Sequence, residues 1–414
     1  QATDDGGRRA RRVTVTPGVS RRFVALDVPG RPQSHCSSPL VLADGTVLVA
    51  WFAGDHEGAG NVRVVLARGS VDAAYESEVL FEESGVCHWN PVLAAGPDDA
   101  VWLFFKRGPS IETWVTWVTR SHDRGATWSD PVELVPGDGS GGRGPVRHPP
   151  LSYRDSWVAP GSVERWGDPA RWDCFVDVWR DGQWDRADVP LDHSMRGAGC
   201  IQPSLWVTRD GELAMLCRST AGSAYRSVTR DPDFWPALLP IGLPNNNSGL
   251  SVVALPSGRL VCAHNPGVED WGARCPLVLS TSDDEGLTWD VGVVTVEDGS
   301  SFEGVPEDRV GGAGGAASDG RPVTAAATGV VTSGAGEYSY PSIREVGDQL
   351  LVVYTWQRRG IVAATLPITL VEPARRPGAA VTQSPHHGPI RRAQGPKLEQ
   401  VGGWTGERTG DPAR

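Results

Sequence analysis

A short phrase returns six times along this chain, and its period limits what the chain can fold into more than any single residue does. The copies are Ser38-Pro39-Leu40-Val41, Asn90-Pro91-Val92-Leu93, His148-Pro149-Pro150-Leu151, Gln202-Pro203-Ser204-Leu205, a Pro-less Ser248-Gly249-Leu250-Ser251, and Tyr340-Pro341-Ser342-Ile343. A turn and a second apolar run follow: Asp44-Gly45 before residues 46–51, Asp210-Gly211 before 212–217, Ser257-Gly258 before 260–263 and Gly347-Asp348 before 350–356. The third copy, around Arg154-Asp155, is degenerate. Each unit therefore opens with a β-hairpin. The prolines Pro39, Pro91, Pro149 and Pro203 recur at about 50 residues, and a Gly- and Ala-rich stretch at 299–336 doubles the last step. Such a period, with several short strands per unit and few helix signals, predicts an all-β fold, a six-bladed β-propeller, with seven blades as the alternative. Residues 12–28 are expected to return and complete the last blade.

Composition agrees: 51 Gly, 33 Pro and 17 Trp among 414 residues describe a turn-rich chain with large aromatic wedges. A single propeller domain is expected over 12–373, with 299–336 as an inserted loop. The Arg-rich start at 1–11 and the Pro-, Gly- and Arg-rich tail at 374–414 read as disordered. A net charge of −11 argues against a nucleic-acid partner. No apolar run reaches the roughly 18 residues of a membrane span. The first residue is Gln1 and not Met, which points to a removed leader and a secreted or periplasmic protein, with the cytoplasm left open. Seven Cys without a CxxC pair carry no zinc signature and no disulfide framework, and read as small buried hydrophobes. Asp283-Asp284-Glu285 lacks the alternating oxygen ligands of a calcium loop. No cofactor or metal is expected, and a monomer is.

Two further motifs share the pattern S-x-D-x-G-x-T-W: Ser121-His122-Asp123-Arg124-Gly125-Ala126-Thr127-Trp128 and Ser282-Asp283-Asp284-Glu285-Gly286-Leu287-Thr288-Trp289. Here Asp can cap the turn's own N–H groups, Gly supplies a positive φ, and Trp packs under the adjoining strand. Both Asp residues read as structural. With these Asp boxes, and with Trp51-Phe52-Ala53-Gly54-Asp55-His56-Glu57-Gly58, His88-Trp89-Asn90-Pro91, Ile201-Gln202-Pro203-Ser204, Leu243-Pro244-Asn245-Asn246-Asn247-Ser248-Gly249 and Tyr338-Ser339-Tyr340-Pro341, the chain resembles the sialidase (neuraminidase) superfamily, especially its BNR-repeat members. The resemblance runs from about Ser34 to Leu366.

Topology alone locates a site. In an antiparallel blade the start of the innermost strand and the end of the second lie on one face, so residues there converge on the axis. Before the inner strands stand His35, His88, Asn90, Arg147, His148, Gln202, Asn247, Tyr338 and Tyr340. After the second strands stand Asp55, Glu57, Lys106, Arg107, Arg218, His264, Asn265, Gln357 and Arg358. Lys106, Arg147 and Arg218 make this ring basic in an acidic protein, and guanidinium groups in a recessed site pair with carboxylates. The expected partner is an acidic oligosaccharide or glycoconjugate, with Trp51, Trp89, Trp114 and Trp356 as candidate stacking faces.

The resemblance implies exo-acting hydrolysis of a terminal sialic acid-type sugar by a Tyr nucleophile with a Glu partner, a separate acid/base and three Arg on the sugar carboxylate. Matching positions make Tyr340 the nucleophile, Arg218 the second Arg, and Asp55 or Glu57 the acid/base. The family's first-blade Arg-Ile-Pro is Ser37-Ser38-Pro39 here, so a full clamp would recruit Lys106 or Arg147. A second reading is a rhamnosyl-glucuronate lyase on the same propeller. There a cation neutralises the uronate, and His35, His88 or His148 acts with Tyr340 as base and acid. A third is a non-catalytic carbohydrate-binding propeller. In all three, Asn90, His148, Gln202, Asn247 and Asn265 are candidate substrate contacts.

Overall fold

The computed structural model describes residues 14–82, 85–307 and 336–372. The segments expected to be disordered, 1–11 and 374–414, lie outside the described residues, as does most of the 299–336 stretch.

Six four-stranded antiparallel sheets follow one another along the chain. Their innermost strands are Gln33–Val41, His88–Ala95, Leu151–Tyr153, Cys200–Val207, Ser251–Ala254 and Tyr338–Val346, for blades 1 to 6. Blade 6 takes three strands from the C-terminal side and its fourth, Ser20–Leu26, from the start of the chain. That strand runs antiparallel to Gly360–Pro367, with Ser20 opposite Thr365 and Leu26 opposite Gly360. Phe23 seals the seam by packing edge-on against Trp356 at 5.2 Å. The six-bladed expectation and the returning segment both hold.

Period-two alternation explains why each blade needs its neighbours. In the second strand of blade 1, Val47–Gly54, every residue is buried. Val47, Val49 and Trp51 pack against Leu351, Val353 and Ile361 of blade 6. Leu48 and Ala50, on the opposite face, pack against Leu93, Leu103 and Phe105 of blade 2. Each such Val or Leu contributes about 1.5–3 kcal/mol on burial, and an isolated blade would leave both faces wet.

The Asp boxes occupy the turns between the third and outermost strands of blades 2 and 5. Asp123 accepts the backbone N–H of Thr127 at 2.8 Å and its hydroxyl at 2.5 Å, and Asp284 does the same for Thr288 at 2.9 and 2.6 Å. Trp128 joins the apolar cluster between blades 1 and 2, and Trp289 that between blades 4 and 5. The boxes thus tie adjacent blades together at the rim.

Candidate active site

The repeat phrase has a local structure that reaches the axis. In blades 1, 2, 4 and 6 the pairing of the innermost strand slips between His35 and Ser38, Trp89 and Val92, Ile201 and Ser204, and Ser339 and Ser342. The first residue of each bulge has a positive φ: Cys36 at 60°, Asn90 at 41°, Gln202 at 56° and Tyr340 at 52°. A bulge leaves one residue out of the ladder and re-aims its side chain, which suits strained positions at a functional site. In blades 2, 4 and 6 proline follows directly, and its missing N–H costs the bulge no hydrogen bond. Blade 1 differs from its repeat alignment. Its bulge is Cys36-Ser37, so Ser38, and not Leu40, stands level with Val92, Ser204 and Ser342. The serines of this position stitch the inner ring, as Ser38 accepts the N–H of Leu93 and Ser204 that of Val252, each at 3.0 Å. Gly249 keeps the fifth blade's contribution small: a Cβ there would lie 3.1 Å from Arg147 Nε and 3.4 Å from the Tyr340 ring.

Asn90, Gln202 and Tyr340 open together into one recess, which they share with Glu57, Glu164, Arg218, Arg274, Arg358, Ile111, Trp114, Trp166 and Trp271. Tyr340 is its centre. Arg218 Nη1 donates to the phenol oxygen at 2.7 Å and Gln202 Nε2 at 3.3 Å. His35 lies against the ring at 4.2 Å, and the guanidinium of Arg147 sits 4.8 Å from its centroid. Among the described residues no carboxylate hydrogen-bonds to the Tyr340 hydroxyl.

The three arginines of the recess differ in how they are neutralised. Arg358 donates to Glu57 at 2.7 Å and to Glu337 at 2.8 Å, and Arg274 donates to Glu337 at 3.0 Å. Burial alone would raise the Glu337 carboxyl, but Arg358 and Arg274 pull it down to about 2. Arg218 is 1% exposed, and its partners are neutral: Asn247 Oδ1 at 2.9 Å, Gln202 Oε1 at 3.2 Å and the Tyr340 hydroxyl. No carboxylate lies within ion-pair distance of it among the described residues. Opposite in character is Glu164, whose carboxyl burial pushes up to about 7 against the opposing pull of Arg218. Indole walls complete the site, with Trp166 and Trp271 stacked at 6.3 Å and 24°. Trp271 holds a φ of 57°, and Arg218 lies 5.6 Å from its ring.

Of the residues singled out by the sequence, Tyr340, Glu57, Arg218, Arg358, Asn90 and Gln202 line the recess, and Asn247 supports it by holding Arg218. Asp55 is exposed and does not line it. His35 is buried beneath Tyr340 with its Nδ1 2.9 Å from Thr355 Oγ1, and burial and the surrounding arginines hold it well below its ordinary pKa. His88 packs on Phe105 in the core, where burial lowers it to about 3. His148 is buried with Nε2 2.8 Å from the Leu250 carbonyl. Lys106, buried and pushed down to about 7, donates to Thr116 and to the Arg143 carbonyl. Arg147 donates to Ser342 and to the Pro341 and Ser37 carbonyls, bracing the Tyr340 bulge from below. Asn265 donates to the Pro276 and Tyr338 carbonyls. Of the four tryptophans weighed as stacking faces, Trp114 lines the recess, while Trp51, Trp89 and Trp356 are core.

Glu164, Arg274, Trp166 and Trp271 were not anticipated. Glu164 ends the second strand of blade 3, Ser156–Arg165, where the strand-end rule would have found it had the third repeat been recognisable. Arg274 and Trp271 sit in the loop between the second and third strands of blade 5, away from any repeat phrase. Among the described residues no group of three or more His, Cys, Asp or Glu is arranged to hold a metal ion.

The six four-stranded blades make the chain a six-bladed β-propeller, a fold it shares with sialidases. The chain belongs to the BNR repeat-like domain family, which matches residues 45–353. The chain is similar to a Dyadobacter fermentans protein of unknown function, with a TM-score of 0.60 at 13% identity over 85% of this chain and 100% of that one. It is similar to a Trypanosoma rangeli sialidase captured as a covalent intermediate with 2,3-difluorosialic acid, with a TM-score of 0.59 at 14% identity over 86% of this chain and 60% of that one. The NanB sialidase of Streptococcus pneumoniae gives 0.59 at 10% identity over 84% and 71%. The chain thus spans less than two thirds of the Trypanosoma enzyme, and these likenesses establish the fold. No curated protein sequence matches the chain.

Proposed function

We propose that the recess binds the terminal, carboxylate-bearing sugar of a glycan and hydrolyses its glycosidic bond, as an exo-acting sialidase-like enzyme does. The observation that carries this reading is Arg218: a buried guanidinium among neutral partners, beside two arginines already matched to Glu337 and Glu57. Burying a cation without a counter-ion is costly, and a ligand carboxylate would complete it through charge-assisted hydrogen bonds. Glu164, near half protonation at neutral pH, is suited to protonate the leaving oxygen. Tyr340 is the nucleophile in this reading, and with Glu164 acting as the acid, Glu57 is the carboxylate of the recess left to take the phenol proton. The indole walls provide apolar faces for the sugar ring.

One observation favours β-elimination on a uronate as the second reading. The Tyr340 hydroxyl meets Arg218 and Gln202 and no carboxylate, whereas a nucleophilic phenol needs a proton acceptor. The histidines weighed for that chemistry do not line the recess.

The test is a paired assay on purified protein with fluorogenic sialosides and uronides and with rhamnosyl-glucuronate oligosaccharides, products identified by mass. Release of an intact acidic monosaccharide supports hydrolysis. An unsaturated uronate product moves the reaction to elimination, and saturable binding without turnover of any substrate leaves a binding propeller.

A further inference from the structure

We propose that Cys174 and Cys217 form a disulfide when this chain folds in an oxidising environment, stapling blade 3 to blade 4 directly behind the recess. The two sulfurs lie 3.6 Å apart across the blade interface, and both residues are fully buried. Cys174 is in the third strand of blade 3, Arg171–Arg180, and Cys217 in the second strand of blade 4, Leu213–Ser219. They share one apolar cluster with Cys200, whose carbonyl is 3.3 Å from the Cys174 sulfur. Oxidation would close this 3.6 Å separation to the about 2.05 Å of a sulfur–sulfur bond.

The pair is placed to matter. Cys217 directly precedes Arg218 in the same strand, and Cys174 stands two residues beyond Trp172, whose ring lies 6.0 Å from the Arg218 guanidinium. A covalent tie here fixes the strand that presents Arg218 against the blade that presents Glu164 and Trp166.

The chemistry balances with a low-molecular-weight disulfide such as oxidised glutathione as the oxidant. The Cys174 thiolate attacks one glutathione sulfur and releases the other as a thiol. The Cys217 thiolate then attacks the mixed disulfide at the Cys174 sulfur and releases the second glutathione. Two protein thiols are oxidised, and one glutathione disulfide is reduced. Burial raises both thiols in the native protein, Cys174 well above its ordinary range, so exchange proceeds from the partly folded chain, before blades 3 and 4 close on each other.

The test is refolding of the full chain with and without oxidised glutathione, followed by alkylation in denaturant and peptide mapping. The expected result is two fewer alkylated thiols than the seven present, a single linked peptide pair containing Cys174 and Cys217, and a Tm about 5 °C above that of the reduced protein. Cys174→Ala and Cys217→Ala should each abolish the linked pair. If refolding fails, the same mapping is made on protein exported to the periplasm of an expression host. Seven alkylated thiols under oxidising conditions, or a link through any other cysteine, would overturn the proposal. Because the readout is covalent, it is independent of whether the recess cleaves an acidic sugar.

Discussion

At the scale of single residues, charge decides the behaviour of the recess. Arg218→Ala should weaken binding of carboxylate-bearing sugars by tenfold or more and of their neutral or reduced counterparts far less, measured by calorimetry. Equal losses for both would remove the carboxylate role. Tyr340→Phe keeps the ring that His35 and Arg147 pack on and loses the hydroxyl that Arg218 and Gln202 hold, so turnover should fall at least 100-fold while binding changes little. Glu164 carries a pH signature. Its folded pKa lies above the ordinary Glu value, so the native state binds more protons between about 4.5 and 7, and stability falls as pH rises through that window. Glu164→Gln should flatten that part of the stability curve and abolish the loss of activity above about pH 7, at a reduced maximal rate. A slope unchanged in the variant would show that another group titrates there. Glu337 is the opposite case. Its lowered carboxyl holds two buried arginines, and Glu337→Gln should cost about 3–5 kcal/mol in denaturant unfolding by leaving Arg274 unmatched and Arg358 with Glu57 alone.

At the scale of elements, the bulges and the Asp boxes do separate jobs. Gln202 adopts a φ of 56° at its bulge, a region that β-branched residues avoid. Gln202→Val should therefore destabilise by about 1–2 kcal/mol relative to Gln202→Gly, although both remove the amide from Tyr340. Equal stability of the two variants would show that the bulge relaxes without strain. Asp284→Ala, at the rim, should lower Tm by about 2 °C through loss of its bonds to Thr288 and leave catalysis untouched. The boxes were legible because their hydrogen bonding is local: the Ser takes the Gly N–H and the Asp takes the Thr N–H and hydroxyl, all within eight residues. The bulges were half legible. The X-Pro phrase marked where they fall, but the positive φ of the preceding residue, which turns Asn90, Gln202 and Tyr340 to the axis, arises from pairing with the second strand. The first copy departs from the others for the same reason: Pro39 is the proline of its phrase, while the hydrogen-bond register places the bulge at Cys36-Ser37.

At the scale of the whole molecule, the ring depends on its closure. Strand Ser20–Leu26 supplies the outer edge of blade 6, and Val24 joins the cluster between blades 6 and 1. Removing residues 14–28 should open both faces of that seam and abolish cooperative unfolding, as read by calorimetry. A truncated chain that still melts sharply at the original Tm would mean the seam carries little. The sequence by itself favoured six blades over seven and determined the returning strand, the turns and the face on which the polar strand ends gather. These follow from periodicity, from local hydrogen bonding and from the rule that strand ends of one sense share a face. Tertiary structure alone decided which polar residues of that face meet. Lys106, Arg147, His35, His88 and His148 satisfied the same positional rule as Arg218, yet they turn into the core or brace backbone carbonyls. Glu164, Arg274 and Trp271 arrive from a degenerate repeat and from a loop without a motif. The physical reason is that a site on the axis of a ring is assembled from separate blades. Which side chain reaches it depends on burial, register and pairing between residues as distant as Glu57 and Arg358, 301 positions apart, and no local pattern encodes those contacts.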